Sequence, residues 1–130
     1  MIEQTDLIVK EWIYIPPADP SASGDKITSD ITLEVMKKSA SNKKGLACRF
    51  TCKFLSGKDT ILLCVGEDSY VIDLADSVDR YEVIKMIRNS YSKFNEKFDL
   101  RKLGTILQDK RLPPLDEGSI NIDAIVPLLN

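Results

Sequence analysis

Apolar and polar residues alternate along the first half of the chain, and after Asp76 the period changes. The cleanest alternation runs from Leu46 to Phe54. Leu46, Cys48, Phe50, Cys52 and Phe54 fall on one face, and Ala47, Arg49, Thr51 and Lys53 on the other. A period of two with a single apolar face predicts a half-exposed antiparallel strand. Ile31, Leu33 and Val35 alternate with Thr32, Glu34 and Met36, which predicts a strand over residues 27–38. Ser56-Gly57-Lys58-Asp59 is a tight turn, so the Leu46–Phe54 strand forms a hairpin with a strand running from Thr60 to about Leu74. Gly66 inside that strand predicts a bulge or a bend. Residues 2–15 concentrate β-formers at Trp12, Ile13, Tyr14 and Ile15, and most of this segment reads as one long strand. Pro16, Pro17 and Pro20 end it, because proline cannot donate to a ladder. Turn-forming residues make 16–26 a loop and 39–44 a polar connection.

Beyond Asp76, Ile84, Ile87, Tyr91, Phe94 and Phe98 recur at intervals of three and four, the stripe of an amphipathic helix. Asp79 and Glu82 are placed to form a capping box at its start. The stripe continues less regularly through Leu100, Leu103, Ile106 and Leu107, and Gly104 is a point at which the helix kinks or divides. Pro113 and Pro114 then stop regular structure. After the turn Asp116-Glu117-Gly118, Asn121 caps a short final helix with Asp123 in its first turn. Pro127 limits that helix to one or two turns. Strands followed by helices predict an α+β fold. It has a four-stranded antiparallel sheet with a long helix and a short C-terminal helix packed on one face, forming a single domain over residues 1–130.

Composition removes several functions. The chain has 130 residues, a formal net charge of −2 and no histidine. Without histidine there is no Ser-His-Asp or Cys-His catalysis and no histidine metal site. Cys48, Cys52 and Cys64 are an odd set without paired spacing, so they read as reduced, packed thiols rather than a disulfide framework or a zinc site. Gly57-Lys58-Asp59-Thr60 lacks the order that a phosphate loop needs. Glu67 and Asp68 are adjacent, so on a strand they face opposite ways; they read as solvated bulge residues rather than an acid/base pair. No catalytic residue, metal site or cofactor is expected, and the chain is not expected to be an enzyme. Acids and bases are interspersed without a basic stripe, which argues against nucleic acid. The start lacks the pattern of a secretory signal, and the longest apolar run, Ile61 to Val65, is too short to cross a bilayer, so a cytoplasmic protein without membrane insertion is expected.

Two segments carry a family resemblance. DTILLCVGEDSYVIDL, from Asp59 to Leu74, is similar to a hairpin strand of the bacterial export chaperone SecB, with Cys64 at the family's cysteine and Tyr70 to Leu74 at its aromatic-aliphatic close. LPPLDEGSINIDAI, from Leu112 to Ile125, resembles the SecB family's turn into its final helix, with Ile122 in place of the usual phenylalanine. The resemblance implies a chaperone that binds unfolded or extended client polypeptides in apolar grooves, with protein export as the family's pathway, and needs no nucleotide or metal. It also implies a homo-oligomer, dimer or tetramer.

Under that reading the expected client-binding residues are Trp12, Tyr14, Phe50, Phe54, Leu112, Leu115, Ile120 and Ile125. The helical stripe Ile84, Ile87, Tyr91 and Phe94 is the expected oligomer interface. There are departures from the family. Val65 stands where the family carries an acidic residue that helps to dock the motor SecA, no acidic tail follows the final helix, and Pro127 falls in that helix. Client binding is therefore expected to carry over better than delivery, and engagement of SecA is left open. The alternative is a dedicated binding module on the same fold that serves one partner, for example an antitoxin, without a general export role.

Overall fold

The alternating segments become strands. In the computed structural model, residues 2–16, 27–40 and 43–130 are described, with side chains 38–40 excepted. The 16–26 loop lies outside these residues except for Pro16, as does the tip of the 39–44 connection. The elements are β1 (Ile2–Gln4), β2 (Ile8–Tyr14), β3 (Ile27–Ala40), β4 (Lys43–Ser56), β5 (Asp59–Asp73), α1 (Arg80–Arg101) and α2 (Ile122–Ile125). Single 3-10 turns at Glu117–Ser119 and Val126–Leu129 flank α2.

The fold is α+β with a wholly antiparallel sheet. β5 pairs on one side with β4, which pairs with β3; on its other side β5 pairs with both β1 and β2. Among the described residues the sheet thus has five strands rather than four, because the expected first strand is broken at residues 5–7. The break does not free the backbone, since Thr5 N still donates to Ser69 O at 2.9 Å. It turns Leu7 into the core, where it is buried.

Gly66 is not itself a bulge. It sits in register opposite Phe50 on β4 and Val9 on β2, and the register shift on that side falls in β2, between Val9 and Glu11. The reason for glycine is space: a Cβ there would come within 2.5 Å of the Phe94 ring.

α1 starts as its sequence dictates. Asp79 accepts from Glu82 N at 2.8 Å, and the Glu82 side chain accepts from Asp79 N, closing the capping box. The helix ends at Arg101, and Gly104, at φ +80°, follows in the left-handed region that glycine tolerates. Its buried face is Val83, Met86, Ile87, Ser90, Phe94 and Phe98. This is the expected stripe rotated slightly, so that Ile84 and Tyr91 are only half-buried. Of the apolar residues that continue the stripe, Leu107 reaches the core and Leu100, Leu103 and Ile106 are exposed.

α1 lies on the apolar face of the sheet. Phe94 stacks on Phe50 at 5.3 Å and 17°, and Phe98 stacks on Phe54 at 5.3 Å and 2°. Burying side chains of this size contributes about 1.5–3 kcal/mol each. Ser90 interrupts the apolar stripe because Asp68 needs it. Asp68 is buried rather than solvated, accepting from Ser90 Oγ at 2.8 Å and Gln4 Nε2 at 2.9 Å, while Tyr70 OH donates to Met86 O at 2.6 Å. A buried carboxylate without such donors is costly, so this network fixes β1, β5 and α1 together.

The C-terminal segment is tied across α1. Arg88 grips Glu117 with two nitrogens, Arg80 pairs with Asp123, and Tyr91 OH donates to Pro113 O. Asn121 caps α2 by accepting from Ala124 N at 3.2 Å, and α2 yields after one turn to the 3-10 turn that contains Pro127. Asn130 completes the anchorage, accepting from Val78 N at 2.9 Å and donating to Val78 O at 2.8 Å. Among the described residues no helix is long and apolar enough to cross a membrane.

Candidate functional site

β3 is the outer strand on its side of the sheet. Among the described residues it pairs with β4 alone. Its alternation puts Ile31, Leu33 and Val35 on the face that α1 covers further in, opposite Cys52, Phe50 and Cys48 of β4. α1 does not reach over β3. The C-terminal segment stands beside it instead, and a groove of about 560 Å³ remains between the two. Ile31, Leu33 and Val35 form its floor; Leu115, Ile120, Ile125 and Leu128 are the main apolar groups of its wall. Asp116, Ser119 and Asn121 supply polar atoms along the same wall.

Arg88 and Glu117 join the wall to α1 through an exposed ion pair. The Arg88 guanidinium holds the Glu117 carboxyl below its ordinary range, and Glu117 in turn raises Arg88. Burial pushes the Tyr91 hydroxyl up to about 12, so it remains a donor to Pro113 O.

The expected client-binding residues separate into three groups. Leu115, Ile120 and Ile125 meet in the groove, and Leu112 is buried just before it. Trp12 and Tyr14 lie on β2, at the opposite edge of the sheet. Trp12 packs against Phe98 at 6.1 Å with Arg101 over its ring at 5.9 Å, and Tyr14 OH accepts from Ile106 N at 3.1 Å. Phe50 and Phe54 are sealed beneath α1, with 0% and 2% of their surface accessible, so they have no face to offer a ligand.

The expected oligomer interface divides in the same way. Ile87 and Phe94 are core side chains, because this face of α1 is spent on the chain's own sheet. Ile84 and Tyr91 are half-buried beneath the C-terminal segment, Ile84 beside Ile120 and Ile122, and Tyr91 against Phe50 at 5.5 Å. The groove floor on β3 was not among the expected site residues. Its signal is the alternation in residues 27–38, which gives the face but not the absence of a covering helix.

The thiols are not reactive groups in this arrangement. Cys52 and Cys64 face each other across β4 and β5, and burial pushes them and Cys48 up to about 12. Among the described residues no group of three His, Cys, Asp or Glu side chains could hold a metal ion. Val65 is on the sheet face away from α1, paired with Thr51 and Glu11.

No family model and no curated protein matches the sequence. Among solved structures, the chain is similar to the SecB-like chaperone of Mycobacterium tuberculosis, described in complex with a ChAD peptide from the HigA1 antitoxin. The identity is 11%, the match covers 88% of this chain and 90% of that one, and the TM-score is 0.59. A protein of unknown function from Streptococcus agalactiae matches at 10% identity, over 89% of this chain and 97% of that one, with a TM-score of 0.45. The order of strands and helices, the coverage of both chains and the TM-score of the first of these matches agree: this chain has the SecB-like fold.

Proposed function

We propose that this protein is a chaperone-like binding module that holds an extended segment of another polypeptide in the groove between β3 and the C-terminal segment. The observation that carries the reading is the groove itself: an apolar floor and wall beside a strand whose outer edge pairs with nothing among the described residues. An extended chain laid there can bond to the free backbone of β3 and place alternate side chains against Ile31, Leu33 and Val35. Each apolar Å² removed from water favours binding by about 25 cal/mol before ordering costs.

Two kinds of occupant fit this chemistry: many unfolded clients, as in a holding chaperone, or one dedicated partner. The size of the groove favours the second. At about 560 Å³ it is within the ~300–1,000 Å³ range of sites that take one compact ligand, which suits a short defined segment better than a long client. The M. tuberculosis neighbour, described with an antitoxin peptide, is a precedent on this fold. Assembly into a homo-oligomer belongs to the same proposal, through surface other than Ile87 and Phe94.

The test is aggregation of several denatured proteins with and without stoichiometric amounts of this one, followed by identification of what co-purifies with it. Slowed aggregation of many clients supports general holding. One stoichiometric companion supports a dedicated module. Neither outcome, together with no peptide bound at the groove, would refute the proposal.

A further inference from the structure

The floor of the groove does not end in solvent at Val35. On β3 the face that carries Ile31, Leu33 and Val35 continues to Lys37, the next residue of the same parity. Leu128, at this end of the groove, also lines a second depression of about 220 Å³ together with Lys37, Lys43, Lys44, Leu74, Leu129 and Asn130. The apolar groove and a pocket with three lysines thus share Leu128 as a lining residue. Residues 36–45 hold four lysines and no acid.

Two of the lysines are partly engaged. Lys43 pairs with Asp73, an exposed pair with half of the lysine side chain in solvent, and Lys44 Nζ donates to the backbone carbonyl of Asp76. An exposed pair such as Lys43–Asp73 contributes little to stability. Lys37, nearest to the groove floor, is exposed and makes no ion pair among the described residues. Asp116 lines the groove but not the lysine pocket, so the charge along the site is polarised.

We infer that the groove selects an extended segment with alternating apolar residues that runs into acidic residues at one end, those acids being held by Lys37 and Lys44. This rests on the proposed groove function and adds the polarity of its occupant. From Ile31 to Lys37 the floor is about 20 Å long at ~3.3 Å per residue, so about six residues separate the first apolar contact from the first acid.

The experiment uses labelled peptides that alternate leucine and threonine over about six residues and carry three glutamates, three serines or three lysines at one end. Each is made with the added residues at the N-terminus and at the C-terminus, and binding to the whole protein is read by fluorescence anisotropy. The glutamate peptide should bind about tenfold more tightly than the serine peptide in one of the two directions, with the lysine peptide weakest. The advantage should vanish in high salt and in Lys37→Ser, an exposed position that leaves the fold intact by circular dichroism. If the serine peptide binds equally well and Leu33→Ser abolishes that binding, the acidic selectivity is wrong and the groove stands. If no peptide binds, both fall. Tighter binding of a single-stranded oligonucleotide than of the glutamate peptide, lost in Lys37→Ser, would also overturn the inference.

Discussion

Gly66 is packed against the ring of Phe94: a methyl group at Gly66 would lie 2.5 Å from Cδ1 and 2.8 Å from Cε1 of a side chain that is itself sealed against Phe50. Gly66→Ala should therefore destabilise the fold by about 1–3 kcal/mol, the usual cost of overpacking. Phe94→Leu should relieve part of that loss in the double variant, although alone it destabilises by leaving space above Phe50. Urea denaturation of the two single variants and the double variant measures the coupling. Strict additivity would mean that the two residues do not meet.

The groove floor can be tested without touching the core. Leu33 is half-buried, and its outer side is open to the groove. Leu33→Ser should weaken peptide binding at least tenfold while changing stability by no more than about 1–2 kcal/mol, the transfer cost of a partly exposed side chain. Phe50→Ala, on the neighbouring strand, should do the reverse and cost about 3–5 kcal/mol of stability. Titration calorimetry beside thermal melts separates the two.

Trp12 is the only tryptophan and lies on β2, three inter-strand spacings, or about 14 Å, from β3. Its fluorescence reports on Phe98 and Arg101 rather than on the groove. Saturating the protein with a groove peptide should leave its emission maximum where it was. A shift on binding, removed by Trp12→Phe and accompanied by loss of affinity in that variant, would move the site to the opposite edge of the sheet.

Stability should fall in alkali. The thiols of Cys48, Cys52 and Cys64 have an ordinary value of 9.0, and burial raises them to about 12 in the folded chain. Between those values the unfolded chain releases protons that the folded chain keeps. The contribution is therefore fully present below pH 9 and is lost as pH rises towards 12. At about pH 10 each thiol should weaken folding by on the order of 1 kcal/mol. Urea midpoints at pH 7, 8.5 and 10 test this, and an unchanged midpoint at pH 10 would refute it. The same burial should leave all three thiols unmodified by alkylating reagents until the chain is unfolded.

Much of the fold is legible locally. The parity of Leu46 to Phe54 gives a strand and its inner face, Ser56-Gly57-Lys58-Asp59 gives the hairpin, and Asp79 with Glu82 gives the helix start. Asn121 and Pro127 give a final helix of one or two turns, and the structure forms the shorter of these. Each of these is decided by residues within a few positions of one another. The candidate site is not of that kind. Phe54 and Leu33 have the same local signal, an apolar residue on the inner face of a strand. One is sealed and the other open because α1 crosses β4 and stops short of β3, which depends on strand order and helix length together. The break at residues 5–7 is equally non-local, since Leu7 leaves the strand to fill space beside Gly66, which lies 59 positions further along the chain.

The floor and wall of the groove come from distant parts of the sequence. Ile31, Leu33 and Val35 pair early, through the local β3–β4 hairpin, while the wall depends on residues 114–128 docking on a formed α1. During synthesis the floor leaves the ribosome long before its wall. A growing chain accordingly presents the apolar face of β3 before the wall that completes the groove, so under the proposed function binding must wait until the C-terminal segment has docked on α1.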